Sequence, residues 1–386
     1  MSRKPGAGQY FEYGDDTRYG EEAAVDGSLS GRVSLRLRYT VLAGLALTWV
    51  LVFGLLPPHE EVSSAPGALV VDGDEITYNG SPVRLRGVAM EDVYDYSSEG
   101  RDAASDYARI ANNWKANVVR ISVHPSTWRD HKDETLALLR EHVDEATNAG
   151  LFVIVDYHVI GFPDGYYQSV PPEWGAPPDL YDSDFDLAKD FWTTVSGEIN
   201  DGRVVFELWN EPVDEVELSP SDPNASKWTE LKPYFNQLID IIRGNGNQSV
   251  ILASGNHWAY NLKGIKDDLL EDSNTAYTWH VYAGHDENKP ARWAQALDGL
   301  EGVRPVLVTE WGFKPRTNEH FQGTARTFGN KFRDQFLEGR GLHSTAWCWS
   351  PYYGPELLKR GWSGRTTWGN FAYDYLRTYN TNPTRP

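Results

Sequence analysis

RVVFELWNEP, residues 203–212, is the stretch on which the fold turns. Residues 204–209 are apolar apart from Glu207, and the run stops abruptly on Asn210, Glu211 and Pro212. A short apolar run closed by polar residues and a proline reads as a strand buried on both faces, as in a parallel sheet. Working outward, seven more runs share this form: VRLRGV (83–88), NVVRISV (117–123), LFVIVDYH (151–158), SVILASG (249–255), TAYTWHVY (275–282), RPVLVTEW (304–311) and HSTAWCW (343–349). Between them lie segments such as ASDYARIANNWKA, DETLALLREHVDEATNAG and KWTELKPYFNQLIDIIRGNG, whose apolar residues recur at three and four, the period of a helix. Alternating strands and helices imply parallel strands, and eight strands close a ring, so a (β/α)8 barrel is expected over residues 67–386. A doubly wound open sheet is the alternative, but no G-x-G-x-x-G or G-x-x-x-x-G-K-[ST] follows any strand. Ahead of the first strand, LVVDGDEITYNGSPVRLRGV (69–88) reads as a small hairpin turning at Asn79 and Gly80, placed to cover one end of the barrel.

The first 66 residues have a different character. Residues 1–38 are polar, Gly-rich and without apolar periodicity, which reads as a disordered tail. From Tyr39 to Leu56 runs YTVLAGLALTWVLVFGLL, without a charge, spanning about 27 Å as a helix against a hydrocarbon core of roughly 30 Å. Arg32, Arg36 and Arg38 precede it, and the next basic residue is Arg84, so the positive-inside bias keeps the N-terminus in the cytoplasm and exports the rest. Residues 39–57 are therefore expected to be a single-pass anchor, 58–66 a linker, and the barrel extracellular. A cleaved signal segment, releasing a secreted barrel, is the rival; Pro66 after Ser63, Ser64 and Ala65 makes a poor cleavage junction.

Composition excludes several classes. Thirty-six basic and 55 acidic residues give a net charge of −19, which repels a phosphate backbone, so no nucleic-acid partner is expected. The first 65 residues hold six of the basic and eight of the acidic residues, so −17 belongs to the barrel. Such acidity resembles proteins adapted to high salt. The single cysteine, Cys348, allows neither an internal disulfide nor a Cys-based zinc cluster. Fifteen Trp and 21 Tyr suit sugar faces as well as cores.

In a (β/α)8 barrel, chemistry sits at the C-terminal strand ends. There the second strand carries Arg120, the third Asp156 and His158, the fourth Asn210 and Glu211, the sixth His280 and Tyr282, the seventh Glu310, and the eighth Trp347 and Trp349. Packing alone would fill these places with aliphatic residues, because a buried unpaired charge costs several kcal/mol. The fourth and seventh strands lie across the ring from one another, so Glu211 and Glu310 can face each other, an arrangement suited to glycosidic bond cleavage. Glu207, four residues deeper on the same strand, reads as a buried partner of Arg120 or another donor.

NVVRISV, VIVDYH, FELWNEP, WHVY, VLVTEWG and AWCWS stand in an order and spacing that resembles glycoside hydrolase family 5, the family of many endo-acting cellulases and β-mannanases. The resemblance covers about residues 68–380. Asn-Glu-Pro and the seventh-strand Glu belong to a wider clan of retaining barrel hydrolases, whereas Arg120, His158 and the His280-x-Tyr282 pair narrow it to this family. It implies Glu211 as acid/base and Glu310 as nucleophile of a double displacement, Arg120 beside the nucleophile, and Tyr282 donating a hydrogen bond to it. It implies Asn210 on the 2-hydroxyl, His158 and His280 lining the subsite, Trp349 as a platform under the sugar with Trp347 packed inside, and Trp258 after the fifth strand touching substrate. Asp156, in a D-x-H pattern, orients its neighbours. Trp128, Trp174, Trp311 and Trp362 fall on upper loops, where an aromatic ring either extends a cleft or packs beneath its loop.

No H-E-x-x-H is present, so no metal and no cofactor is expected. The partner is a polysaccharide or oligosaccharide, and the chain is read as a monomer. Long loops after the third and fourth strands match no family pattern, which leaves the glycan open among cellulose, β-mannan, xyloglucan and mixed-linkage glucan. Two other readings use the same residues: a non-catalytic, membrane-anchored glycan-binding protein, and a surface enzyme that trims or transfers sugars on the cell's own glycans.

Overall fold

The computed structural model describes residues 67–172, 176–215, 226–284, 289–316 and 320–386. The tail, the apolar segment 39–57, the linker and Trp174 lie outside them. Among the described residues no helix is long and apolar enough to cross a membrane.

The hairpin comes first: β1 (Leu69–Asp72) pairs antiparallel with β2 (Glu75–Tyr78), which pairs with β3 (Ser81–Pro82). Asn79 and Gly80 both take the left-handed backbone (φ 52° and 72°) that the tight turn requires. Leu69, Ile76, Val83 and Leu85 then pack with Val118, Phe152, Ile154, Val205 and Leu252 inside the barrel's N-terminal end, so the hairpin is its plug.

The barrel strands are β4 (Arg86–Asp92), β5 (Val118–Val123), β6 (Phe152–Tyr157), β8 (Val204–Glu207), β10 (Ile251–Ser254), β11 (Thr275–Tyr282), β12 (Val306–Gly312) and β13 (His343–Trp349). They close in chain order, with β13 pairing back to β4 and every neighbour parallel. Two short extra strands, β7 (Ile160–Gly161) and β9 (Glu211–Pro212), pair above β6 and β8. The expected barrel is therefore present, with one boundary displaced. Residues 83–85 serve the hairpin, where the Val83 N–H donates to Ile76, and the first barrel strand instead continues to Asp92. Outside the ring, α1 (Val93–Ser98), α2 (Ala103–Asn112), α3 (Pro125–Asn148), α4 (Phe185–Glu198), α5 (Trp228–Gly244), α6 (Pro290–Leu297) and the C-terminal helix Thr367–Tyr379 bury their apolar faces against the outward-facing strand residues.

Candidate active site

Above the plug, the inward positions turn polar. Arg120 on β5 is fully buried and its guanidinium is shared out completely. Its Nε and Nη2 donate to the two oxygens of Glu207 (2.6 and 3.1 Å), Nη1 to Glu310 Oε1 (2.9 Å), and Nη2 also to Asn210 Oδ1 (2.6 Å), with Asp156 Oδ2 at 3.1 Å. A planar fork with fixed donors can satisfy such a set, which a point-charge ammonium cannot. Glu207 is thus the buried Arg partner anticipated from its depth. Its carboxyl is held below the usual range against its burial, by Arg120 and His280.

Backbone pairing places the fourth-strand end. The Asn210 and Glu211 N–H groups donate to the carbonyls of Tyr157 and Val159, and β9 is stitched to β7. Glu211 therefore stands over the barrel instead of continuing into a loop. On the opposite side His280 and Glu310 are register partners on β11 and β12. Glu310 accepts from Arg120 through one oxygen and from the Tyr282 hydroxyl (2.6 Å) through the other. His280 Nδ1 lies 2.8 Å from Glu211 Oε1. Oxygens of Glu211 and Glu310 and a ring nitrogen of His280 all fall within 4.8 Å of one another.

These contacts separate the two carboxyls chemically. Burial pushes Glu211 up to about 7; the His280 contact opposes this and the charge of Glu310 adds to it. Burial disfavours the His280 cation, but Glu310, Glu207 and Glu211 outweigh it and raise that imidazole to about 10. Glu310 receives only donors. One carboxyl is set to carry a proton near neutral pH, and the other is held by donors on both oxygens.

His158 donates or shares its Nδ1 with Asp156 Oδ2 (2.7 Å), and burial, with His124 and Arg120 nearby, holds it well below the usual imidazole range. Its ring stacks on Trp347 at 5.2 Å and 3°, and Arg120 lies 6.0 Å from the same indole. This corrects the expectation for the eighth strand. Trp347, with Ala89, Tyr282, Phe321 and Tyr353, faces the site, while Trp349 is fully buried outside the ring against Trp114 and Arg109. Strict alternation would put both indoles on one side, but the β13–β4 register breaks between Ala346 and Trp349.

Trp258 is half-buried at the rim, its Nε1 donating to Gln168 and its backbone N–H to Pro212, beside Glu211. Of the aromatics placed on upper loops, Trp128 instead sits on α3 and Trp311 on β12, and only Trp362 is in a loop; all three are buried, against Phe191, Trp368 and Tyr96 respectively, and do not extend a cleft. Residues that the sequence reading did not reach also line this end. Glu91, at the displaced end of β4, accepts from Ser350, and burial pushes its carboxyl well up, with Asp95 and Glu99 adding to the effect. His124, held by Asp92, stands edge-on to His158 (5.1 Å, 81°). The polar middle of MEDV (90–93) hid the strand end that carries Glu91, and His124 stands one residue past the apolar run of β5.

Donor atoms that could hold a metal converge in two places among the described residues, at Glu211, His280 and Glu310 and at Asp92, Asp95 and His124. In the first, the Arg120 guanidinium already occupies Glu310. In the second, the Asp92 oxygens already accept from the Tyr94, Asp95 and His124 N–H groups.

Fold and site together define a class: a (β/α)8 barrel with an acidic and an accepting carboxyl facing each other at the fourth and seventh strand ends. The sequence profile of cellulase (glycosyl hydrolase family 5) matches residues 76–353, and the chain belongs to that family. Among similar proteins are a cellulase of a Thermoanaerobacterium species, 24% identical over 70% of this chain and 66% of its own length, and endoglucanase A of Butyrivibrio fibrisolvens, 26% identical over 64% and 52%. This chain thus spans less than two thirds of the length of those relatives. A crystal structure of a β-glucanase from Saccharophagus degradans has a TM-score of 0.73 at 25% identity, covering 82% of this chain and 95% of that one; the same enzyme is known in complex with cellotetraose.

Proposed function

We propose that this chain is a retaining β-glycosidase that cleaves β-linked glucan by double displacement. The observation that carries the reading is that an oxygen of Glu211 and an oxygen of Glu310 lie within 4.8 Å of each other, as the close pair of a retaining enzyme would. Retaining enzymes place their carboxyls about 5–5.5 Å apart, whereas inverting ones leave roughly 6.5–9.5 Å to hold a water between acid and base. Glu310 attacks the anomeric carbon while Glu211 protonates the departing oxygen; water then enters with Glu211 as base and releases Glu310. Arg120 and Tyr282 fix the nucleophile, Asn210 lies within reach of the 2-hydroxyl, and Trp347 with His158 forms the floor under the sugar. Trp258 and the wall beside Glu211 serve the leaving side. A β-1,4-glucan is the favoured substrate, supported by the likeness to a β-glucanase seen with cellotetraose.

Residues 39–57 hold the chain in the membrane in this reading, with the N-terminus cytoplasmic and the barrel outside as a monomer. An uncharged run of eighteen residues behind three arginines supports it. The complete set of Glu211, Glu310 and Arg120 favours catalysis over mere glycan binding. The test is incubation of the full chain with soluble β-1,4-glucan, following reducing ends and the first-formed anomer by proton NMR. New β-anomeric ends support the proposal. α-Anomeric ends contradict retention, and binding without new ends returns the chain to the glycan-binding reading.

A further inference from the structure

Thr309 precedes Glu310 on β12 and is fully buried. Its hydroxyl sits between His280 Nε2 and Glu207 Oε1, 3.0 Å from each. The direction of both bonds follows from chemistry. Glu207, held ionised by Arg120 and His280, can only accept. Thr309 has one proton and gives it to Glu207, so its oxygen accepts from His280, and Nε2 carries a hydrogen whatever the charge of the ring. Nδ1, facing Glu211, is then the only ring position whose proton can vary.

We propose that Thr309 is a positioning residue for proton delivery: by keeping His280 Nε2 as an N–H, it dedicates Nδ1 to Glu211 Oε1 and reserves Oε2 as the oxygen that protonates the leaving group. The inference rests on Glu211 being the acid/base. The groups facing His280 are Glu211 at 2.8 Å, Glu310 at 3.7 Å from β12 and Glu207 at 3.9 Å from β8, with Asp156 and His158 from the third strand end acting at longer range and Arg120 from β5 bonded to the same Glu207 and Glu310. Carboxylates dominate this set, which favours an imidazolium whose two N–H groups both need acceptors. Glu211 meets one and Thr309 the other. In the first step the proton leaves Glu211 Oε2 for the glycosidic oxygen as the carbon–oxygen bond breaks and the bond to Glu310 forms. In the second, a water proton returns to Oε2 as the water oxygen bonds to carbon and Glu310 departs. His280 and Thr309 keep their protons throughout.

Replacing Thr309 with Val removes the acceptor for Nε2–H and weakens the imidazolium, and with it the downward pull of His280 on Glu211. The alkaline limb of kcat/KM should therefore move up by about half a pH unit or more. For soluble β-1,4-glucan, kcat/KM should fall about tenfold or more. For a dinitrophenyl β-cellobioside, whose leaving group needs no proton, it should stay within about twofold. Thr309→Ser restores the hydroxyl and should keep the wild-type profile, and Thr309→Ala should repeat the Val pattern should Val not fold. Equal losses on the two substrates with an unmoved pH limb, or a Ser variant as impaired as Val, overturns the proposal. Glu211→Ala with undiminished hydrolysis of the glucan would instead overturn the acid/base reading on which it rests.

Discussion

Arg120→Lys tests the network under the site at its centre. The guanidinium makes four hydrogen bonds, two to Glu207 and one each to Glu310 and Asn210, and touches Asp156 as well. A lysine ammonium keeps the charge but concentrates its three donors at one point, so at least two of the four bonds are lost. Hydrogen bonds to charged groups contribute about 1.5–3 kcal/mol each, and the retained charge offsets part of the loss, so a net destabilisation of about 3 kcal/mol is expected. Glu310 also loses the fork that aims it, and a misplacement near 1 Å costs about a hundredfold in rate. Urea unfolding of the full chain and initial rates on soluble glucan measure the two effects separately. A loss of less than about 1 kcal/mol together with a rate within about fivefold of wild type would refute the argument that the fork geometry matters.

Trp347→Ala and Trp349→Ala each remove a buried indole and should each cost about 3–5 kcal/mol, but only Trp347→Ala should also lower kcat/KM of the remaining folded enzyme on the glucan, by about tenfold or more, and thermal melts with kinetics on the folded fraction distinguish the two. Glu91→Gln should stabilise the protein at neutral pH. A buried carboxyl whose folded pKa is raised holds its proton where the unfolded chain has released it, so its contribution declines as pH rises above the unfolded value near 4.3, and the amide does not share that decline. Melting midpoints of both forms from pH 4 to 8 check this, and a gap that does not widen with pH counts against it. With −17 on the barrel, the midpoint should also rise between dilute buffer and molar KCl as the Debye length shrinks to about 3 Å; a flat or falling midpoint removes the high-salt interpretation.

The barrel was legible because each strand buries both faces and so reads as an apolar run, and because Asn79–Gly80 admits few turns other than the one found. Arg120, Asp156, Asn210, Glu211, His280, Tyr282 and Glu310 stood out for the opposite reason: they are charged or polar where packing wants aliphatic side chains. What failed was phase. Alternation says that Trp347 and Trp349 share a side, and a single break in the β13–β4 register, set by tertiary pairing, sends Trp349 outward. Glu91 escaped because the end of β4 is polar, and its strand conformation comes from ladder bonds to β5 and β13 and not from local propensity, while His124 lies one residue beyond the apolar run of β5. Thr309 carries no charge, and only its distances reveal its place between His280 and Glu207.

The central claim is that Glu310 forms a covalent bond to the sugar and Glu211 manages the proton. It is tested most directly by Glu310→Ala assayed with a dinitrophenyl β-cellobioside in the presence and absence of azide. The account predicts no turnover without azide and partial rescue with it, giving the α-glycosyl azide because the small anion enters the face that Glu310 has vacated. Turnover at the wild-type rate without azide, or rescue that gives only the β-azide, would contradict it.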